Sequence, residues 1–288
     1  MKKYAVMTMD VEDWYDAGYI LGMDVDKNYT MSDGLNNYVQ ILNAYGIKGT
    51  FFTLSDMLKW VSSDLKKFFD EGHEIGIHGQ DHIRPVEKSV AKFKEEISEA
   101  KNAVETLIGK EIKGYRAPSY GIDREHLNVI QQLGFQYDSS KIDSQSNSFY
   151  EKLDLIDFEQ IDKGIYRKNG FYEFEISTGK LLNKRCTIAG GGFFRIFPWV
   201  VTKRMITKFL KQENFYVFFI HPFEVSSKKV PTVKGLSFLK KVRIKLGRKT
   251  VQKKIHKLIK LLIKEGYEFV TFDELMRIKS QEATEKLG

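Results

Sequence analysis

Short apolar runs typical of β-strands alternate along this chain with longer runs of helical periodicity. The clearest strand-like runs cover residues 4–9, 49–54, 73–77 and 215–220, and the clearest helix-like run covers residues 89–108. Parallel strands need a crossover connection, and a helix usually supplies it. The repeated strand-then-helix order therefore predicts an α/β fold with a mostly parallel sheet or barrel.

The length and composition bound the organisation of the chain. The 288 residues are 42% hydrophobic, and they show no internal repeat or clear linker, which predicts one domain over residues 1–288. Residues 139–168 lack clean periodicity and are predicted to form a long loop. The single cysteine excludes an intramolecular disulfide. No apolar stretch reaches the roughly 18 residues of a membrane span, and no signal-peptide pattern is present, so we expect a cytoplasmic protein.

The net charge of +8 is unevenly distributed. Residues 228–264 contain 14 lysines and arginines and no acidic residue, which leaves 32 basic against 38 acidic residues elsewhere. This asymmetry argues against a nucleic-acid-binding protein and predicts a local basic face. Lys240, Lys241 and Arg243 lie in this segment among apolar residues, an arrangement that suits an anionic membrane surface or the diphosphate of a lipid-linked or nucleotide-linked molecule.

Ionisable residues follow two of the strand-like runs near the N-terminus. Asp10, Glu12 and Asp13 come at the end of the first run, and three carboxylates this close repel one another unless a cation neutralises them or they point apart. His78 and His82 follow the run at residues 73–77 with a spacing that lets two imidazoles share a metal ion. Taken alone, each group is also explained as a polar surface loop.

Two further strand ends carry polar groups. Arg116 can hold a carboxylate in a bidentate pair, and the backbone near Ser119 can face a developing oxyanion, although this stretch alone is more typical of a structural salt bridge. His221 follows the apolar run at residues 215–220 and suits a general acid, although a lone histidine is more often structural. Trp14 is either a wall for sugar stacking or a core aromatic.

In order and context, these motifs resemble the polysaccharide deacetylases of carbohydrate esterase family four, which share the NodB-homology fold. The matching stretches are residues 8–13, 78–82, 116–119 and 218–221. A subgroup from bacterial exopolysaccharide gene clusters is closer still, through residues 137–140, 190–195 and 221–224. The resemblance implies a distorted (β/α) barrel of about seven mostly parallel strands surrounded by helices.

The resemblance also implies one divalent metal ion, with zinc as the default and cobalt or nickel as alternatives. His78 and His82 would be ligands, and the third would be Glu12 or Asp13. Strand alternation favours Glu12, whereas a turn at this point favours Asp13. Gly79 departs from the family pattern, which usually has a serine after the first metal histidine.

The remaining implied roles belong to acid–base and oxyanion groups. Asp10 would be the general base that activates a water, and Arg116 would orient it. The backbone near Ser119 and Tyr120 would bind the oxyanion and substrate, with Trp14 beside them. His221 would protonate the departing amine.

These roles imply a metal-dependent hydrolase that removes an acetyl group from an N-acetylated amino sugar during synthesis of a bacterial surface polysaccharide, such as O-antigen, capsule or exopolysaccharide. The substrate would be an acetylated sugar, free or linked to a nucleotide or lipid, and residues 228–264 would touch the inner face of the membrane. The alternatives are a hydrolase of another small amide in the same fold and an inactive carbohydrate-binding protein.

Overall fold

One large sheet runs through the part of the chain that the computed structural model describes, residues 2–143, 153–181 and 184–285. The strands in chain order are β1 (Lys3–Val11), β2 (Thr50–Leu54), β3 (Glu74–Gly79), β4 (Gly114–Tyr115), β5 (Tyr137–Asp138), β6 (Glu159–Asp162), β7 (Ile165–Lys168), β8 (Phe171–Phe174), β9 (Thr178–Leu181), β10 (Lys184–Thr187), β11 (Phe215–Ile220) and β12 (Tyr267–Phe269). Strands β9 and β10 form a separate two-stranded ribbon, and the other strands belong to the large sheet.

Helices connect most of the parallel strands. They are α1 (Asp33–Asn43), α2 (Leu58–Asp70), α3 (Val90–Ile108), α4 (Arg124–Gln132), α5 (Gly191–Ile196), α6 (Trp199–Leu210), α7 (Pro222–Val225), α8 (Phe238–Lys245), α9 (Arg248–Lys264) and α10 (Phe272–Glu285). Their ends follow ordinary capping rules: Ser89 accepts a hydrogen bond from the Lys92 amide at the start of α3, and Gly109 ends it in the left-handed conformation. Among the described helices, none is both long and apolar enough to cross a bilayer.

The strand order is β11-β1-β2-β3-β4-β5-β8-β7-β6, and β12 pairs with the beginning of β1. All neighbours from β11 to β8 are parallel, whereas β6 and β7 add an antiparallel hairpin at the edge. The free side of β11 is covered by the segment after β8. Ser177 Oγ accepts from the Val217 amide, and Ala189 O accepts from the Phe219 amide, both at 3.0 Å. The sheet thereby curls into the expected distorted barrel.

Alternation along β1 separates two cores. Ala5, Met7 and Met9 belong to the large cluster between the sheet and its helices, while Tyr4 and Val6 belong to the cluster on the opposite face. Because side chains alternate across a strand, Thr8 and Asp10 share the face of Tyr4 and Val6. The general-base candidate therefore points into the barrel, where a polar group needs a partner.

Two predictions about local structure need correction or extension. The predicted loop at residues 139–168 contains β6 and β7, and residues 144–152 lie outside the described part. Helix α9 buries one apolar face, since Val251, Ile255, Leu258, Ile259 and Leu262 are all 0% exposed. Helix α8 was not predicted. The prediction of a single domain stays a prediction.

Candidate active site

The predicted strand-end residues gather at the carboxyl end of the parallel strands. Asp10 lies near the end of β1, and His78 is the penultimate residue of β3. Arg116 directly follows β4, and His221 directly follows β11. All four are at most half-exposed, and three are buried. Carboxyl ends of parallel strands meet at one edge, which is where α/β barrels place their active sites.

Glu12, His78 and His82 form a compact set of metal-binding donors. Glu12 Oε2 lies 2.5 Å from His82 Nε2 and 3.6 Å from His78 Nε2, and one ligand atom from each residue falls within 4.8 Å of the others. His78 Nδ1 donates to the Arg116 carbonyl at 2.7 Å, which leaves its Nε2 lone pair facing Glu12. Two imidazoles and a carboxylate are a donor set that zinc and related divalent ions accept.

The ionisation of this set depends on its own members and on His221. Burial alone would raise the pKa of Glu12, but His82 and His221 outweigh it and hold this pKa well below the usual range. Burial lowers the pKa of His82, and the Glu12 carboxylate more than reverses that effect. The positive charge beside Glu12 comes in this structure from the imidazoles. The fit to a divalent metal ion therefore rests on the donor set itself, two buried imidazoles and a buried carboxylate within reach of one another.

Asp13 does not lie with the metal-binding donors. Its Oδ1 accepts from the Trp14 amide at 2.7 Å, and its two oxygens accept from the Met31 amide at 3.0 and 2.9 Å. It therefore caps the short turn Trp14–Asp16 and ties it to the loop before α1. The two carboxylates that the sequence left as alternatives are thus placed differently, and Glu12 is the one beside the histidines.

Gly79 has a backbone reason for departing from the family pattern. Its φ is 144°, a conformation that residues with a side chain rarely adopt. A Cβ at this position would also lie 2.9 Å from the Asp81 carbonyl. The turn between the two histidines therefore favours glycine in this chain.

Asp10 and Arg116 form a buried ion pair inside the barrel. Arg116 is 0% exposed, and its Nη1 donates to Asp10 Oδ1 and to Thr8 Oγ1, both at 2.7 Å. Its Nε and Nη2 donate to Ser139 O and Ser139 Oγ, both at 3.1 Å. The guanidinium also lies over the Phe52 ring, 4.3 Å from its centroid. These contacts hold the Asp10 carboxylate in one orientation.

A pair of buried carboxyl groups fixes the loop that holds Arg116. Asp138 and Glu173 face each other across β5 and β8 and are both 0% exposed. Burial raises the pKa of Asp138 to about 6 and raises that of Glu173 well above its usual range. Ser140 donates its hydroxyl to Asp138 and its amide to Glu173, at 2.7 and 3.0 Å. Ser140 Oγ also accepts from the Ala117 amide at 2.8 Å, next to Arg116.

His221 is held by a second buried ion pair. Its Nδ1 lies 2.8 Å from Glu224 Oε2, and Glu224 Oε1 accepts from Arg195 Nε at 2.7 Å. The other ring nitrogen, Nε2, faces the metal-binding donors, 3.7 Å from Glu12 Oε1. Burial lowers the pKa of His221, but Glu12 and Glu224 outweigh it and raise this pKa to about 9. Glu224 thus fixes both the orientation and the tautomer of the imidazole.

Sequence reasoning gave no roles to Glu224 and Arg195, although both stand in stretches that carried the resemblance. One signal was available: Glu224 lies three residues after His221, and Pro222 marks the first turn of a helix, which is the spacing of a capping interaction. Arg195 lies 29 residues before Glu224, so no local pattern reports that contact.

The turn predicted to bind an oxyanion is strained. Ser119 and Tyr120 have φ values of 51° and 59°, and residues with side chains occupy this region only where the surrounding structure imposes it. The Tyr120 amide donates to the Ala117 carbonyl at 2.9 Å, so Ser119 is the remaining donor candidate of this pair. The Tyr120 ring is 6% exposed and packs edge-on against Phe219.

Trp14 is a core residue, contrary to its assignment as a substrate-binding wall. Its side chain is 1% exposed and packs in the cluster that includes Tyr15 and Ile20. Its indole Nε1 donates to the Tyr29 carbonyl at 2.7 Å. A ring so enclosed offers no face to a sugar in this structure.

Comparison with known proteins finds two matching family models. Residues 14–137, fewer than half of the chain, match the family model described as polysaccharide deacetylase. This segment is similar to polysaccharide deacetylases. Residues 154–277 match a second model, described as a domain of unknown function (DUF3473).

Individual proteins show the same similarity. A peptidoglycan deacetylase of Helicobacter pylori is 23% identical over 120 residues, which cover 42% of this chain and 41% of that protein. A Mycobacterium smegmatis protein assigned as a polysaccharide deacetylase superposes with a TM-score of 0.66 at 16% identity, covering 98% of this chain and 92% of that one. A Bacillus anthracis pseudoenzyme of carbohydrate esterase family 4 superposes with a TM-score of 0.56 at 13% identity, covering 96% and 66%.

The sequence matches are partial. The chain spans less than half the length of the curated relatives it matches, 41% in the Helicobacter pylori protein. The structural matches are below 20% identity and show the fold alone.

Proposed function

We propose that this chain is a metal-dependent hydrolase that removes an acetyl group from an N-acetylated amino sugar. One observation carries the proposal. The Glu12, His78 and His82 donors lie at the same barrel end as two independently braced groups, the Asp10–Arg116 pair and the His221 imidazole. Deacetylation of an amide needs a Lewis acid, a base and an acid for the amine, and this arrangement has a candidate for each.

Glu12, His78 and His82 would hold the ion, with zinc as the first expectation and cobalt or nickel as alternatives. When bound, such an ion activates a water for attack and polarises the acetyl carbonyl. His78 is braced through the Arg116 carbonyl, so the peptide that carries the base-orienting arginine also orients a ligand.

Asp10 is the proposed general base. Its Oδ1 accepts a hydrogen bond from Arg116 Nη1 at 2.7 Å, and this contact orients the carboxyl group. Arg116 has no route to act as a base itself, because its guanidinium stays protonated. Its role is to position Asp10, and through Ser139 it ties that position to β5 and β8.

His221 is the proposed general acid. Since Glu224 holds Nδ1, the transferable proton resides on Nε2, which faces the donors around Glu12. A proton at that atom can pass to the sugar nitrogen as the carbon–nitrogen bond breaks. The Ser119 amide is the proposed oxyanion donor.

The finer substrate assignment comes from the resemblance to the exopolysaccharide subgroup and from the Helicobacter pylori relative, whose name states peptidoglycan deacetylation. We assign an acetylated amino sugar of a surface polysaccharide, carried on a nucleotide or a lipid. The two matched segments are proposed to form one catalytic domain, because strands from both lie in one sheet. The expected cytoplasmic location stays a prediction.

An inactive carbohydrate-binding protein is the second candidate, and the Bacillus anthracis pseudoenzyme with the same fold is the observation that keeps it open. The two candidates differ in what the site must retain. Here Asp10, Arg116, Glu12, both histidines and His221 are all present and braced by hydrogen bonds or ion pairs.

Metal analysis and acetate release test the proposal together. Purified protein is expected to hold about one divalent ion per chain and to release acetate from at least one member of a panel of N-acetylated hexosamines, their oligomers and nucleotide-linked forms. His78→Ala should lose both properties. His256→Ala serves as the matched control, because His256 is half-buried beside Tyr45 and away from the donor set. Full activity of the metal-stripped protein would refute the metal requirement, and bound sugar without acetate would favour the inactive alternative.

A further inference from the structure

Helix α8 displays an apolar stripe on its outer side. Phe238 and Leu239 are 77% and 79% exposed, and Val242 and Leu246 are 39% and 49% exposed. At 3.6 residues per turn, the first three positions fall within an arc of roughly 100°, and Leu246 is the residue directly after the helix. Exposed apolar residues are ordinary when scattered, but these lie together on one short helix and its C-cap, where they form a patch.

The opposite side of the helix is its anchor. Ile244 is 1% exposed and packs in the cluster of Trp14 and Tyr15. It lies about half a turn from the centre of the stripe. The stripe is therefore the outer face of a helix that is already docked, and its exposure does not come from a misplaced core face.

Basic residues border the stripe, and acids are absent around it. Lys240, Arg243 and Lys245 are exposed on the same helix. From residue 225 to residue 264 the chain has no aspartate or glutamate. A protein partner with an apolar groove would not by itself require this bias, whereas a surface of anionic headgroups over acyl chains matches both features.

We propose that the outer face of α8 docks this protein on an anionic lipid bilayer, with Phe238 and Leu239 entering the headgroup region. Membrane docking does not depend on the proposed activity, but it deepens it, because a carrier-linked sugar would then reach the site from the membrane side.

Helix α8 is connected through hydrogen bonds to the Arg195–Glu224 pair behind His221. Arg195, which pairs with Glu224 behind His221, also donates through Nη1 to the carbonyls of Arg243 and Leu246 at the end of α8. The docking face and the acid candidate thus share one buried arginine. A bilayer under α8 would therefore contact the helix whose last carbonyls hold the arginine behind His221.

Vesicle sedimentation tests the docking directly. The 288-residue protein should sediment with phosphatidylcholine vesicles that contain phosphatidylglycerol and stay unbound with phosphatidylcholine alone, with or without added metal. The paired variant F238S/L239S should weaken binding by about tenfold or more, since it removes the inserting side chains. The paired variant K240E/R243E should weaken it as well, and added salt should reproduce that loss.

Matched controls separate the face from general surface changes. The variant I156S/V200S removes two other exposed apolar side chains, 91% and 77% exposed, outside α8. The variant K94E/K110E makes the same charge change at exposed positions around α3. Both should bind like the unmodified protein.

Several results would overturn the proposal. Absence of binding to anionic vesicles, equal loss in the controls, or full binding by F238S/L239S each contradicts it. Sedimentation velocity without lipid would identify a second copy as the occupant if F238S/L239S converts a dimer to a monomer. Acetate release from a soluble substrate is measured separately. F238S/L239S should keep this activity, so failure of docking and failure of the deacetylase assignment give different results.

Discussion

Replacing Arg116 with methionine should destabilise the protein by about 4 kcal/mol, because it breaks a buried ion pair from one side. Arg116 is 0% exposed and Asp10 is 3% exposed. Methionine keeps much of the side-chain volume but removes the cation, so the Asp10 carboxyl group is left buried in the barrel without that partner. Thr8 Oγ1 and Ser139 O lose donors in the same step, which places the expected cost in the upper half of the usual range of about 3–5 kcal/mol.

The paired variant R116M/D10N separates charge from packing. It removes both charges, so we expect it to be more stable than R116M by about 2 kcal/mol, a coupling within the range found for residues in contact. The control is Arg277→Met, which breaks an exposed pair with Asp273 and should cost under about 1 kcal/mol.

Equilibrium unfolding in urea, with a chelator present so that metal binding does not contribute, measures all three variants. Equal denaturant slopes would show that the free energies are comparable. A cost under about 1 kcal/mol for R116M, or a paired variant no more stable than R116M, would refute the idea that a buried charge is left uncompensated.

Three further predictions concern titration and roles. Burial lowers the pKa of His73 to about 4. As the pH falls from 6.5 toward 4, the unfolded chain takes up a proton at this residue and the folded protein does not, so the free energy of unfolding decreases over this range. The pKa difference corresponds to about 3 kcal/mol, and His73→Asn should flatten this part of the pH–stability curve; an unchanged slope would contradict it. Asp10→Asn and His221→Ala should retain metal by elemental analysis yet lose about 100-fold or more in turnover; an emptied site in Asp10→Asn would make Asp10 a ligand. Glu224→Gln should keep metal, lower kcat by about tenfold or more, and shift the pH–rate profile; a change in KM alone would exclude positioning of His221.

The residues of the site were predictable because of where polar groups stand in apolar strands. Asp10, His78, Arg116 and His221 each lie at the end of a strand-like run, and parallel strands bring such ends to one edge. The strand order and the curl into a barrel depend on pairings between distant segments. The barrel was expected from the resemblance and not from periodicity, and the strand order was not predicted.

The choice between Glu12 and Asp13 shows what the local pattern lacks. Strand alternation pointed to Glu12, but β1 ends at Val11, and the Glu12 amide turns back to the Asp10 carbonyl at 3.0 Å. What removes Asp13 from the metal-binding donors is the Met31 amide, 18 residues along the chain. The sequence does not show that partner, so it could only leave both carboxylates open.

Exposed edge elements were missed for a related reason. Strand β6 is Glu-Gln-Ile-Asp with no buried residue, so it carries no alternation that a core would impose. Helix α8 buries only Ile244, and its apolar residues face outward, the reverse of an ordinary amphipathic helix. Hydrophobic periodicity reports burial, so it does not predict an element that is held by backbone pairing or that exposes its apolar residues.

The site also shows why the two matched segments are not independent. Residues 14–137 contain His78, His82 and Arg116, but Asp10 and Glu12 precede that segment and His221 follows it. Residues 154–277 supply β11, which pairs with β1 over six residue pairs and so fixes the strand that carries Asp10. They also supply the Arg195–Glu224 pair that holds His221. Asp10, the set of Glu12, His78 and His82, and His221 therefore come together where the second segment closes the barrel against β1.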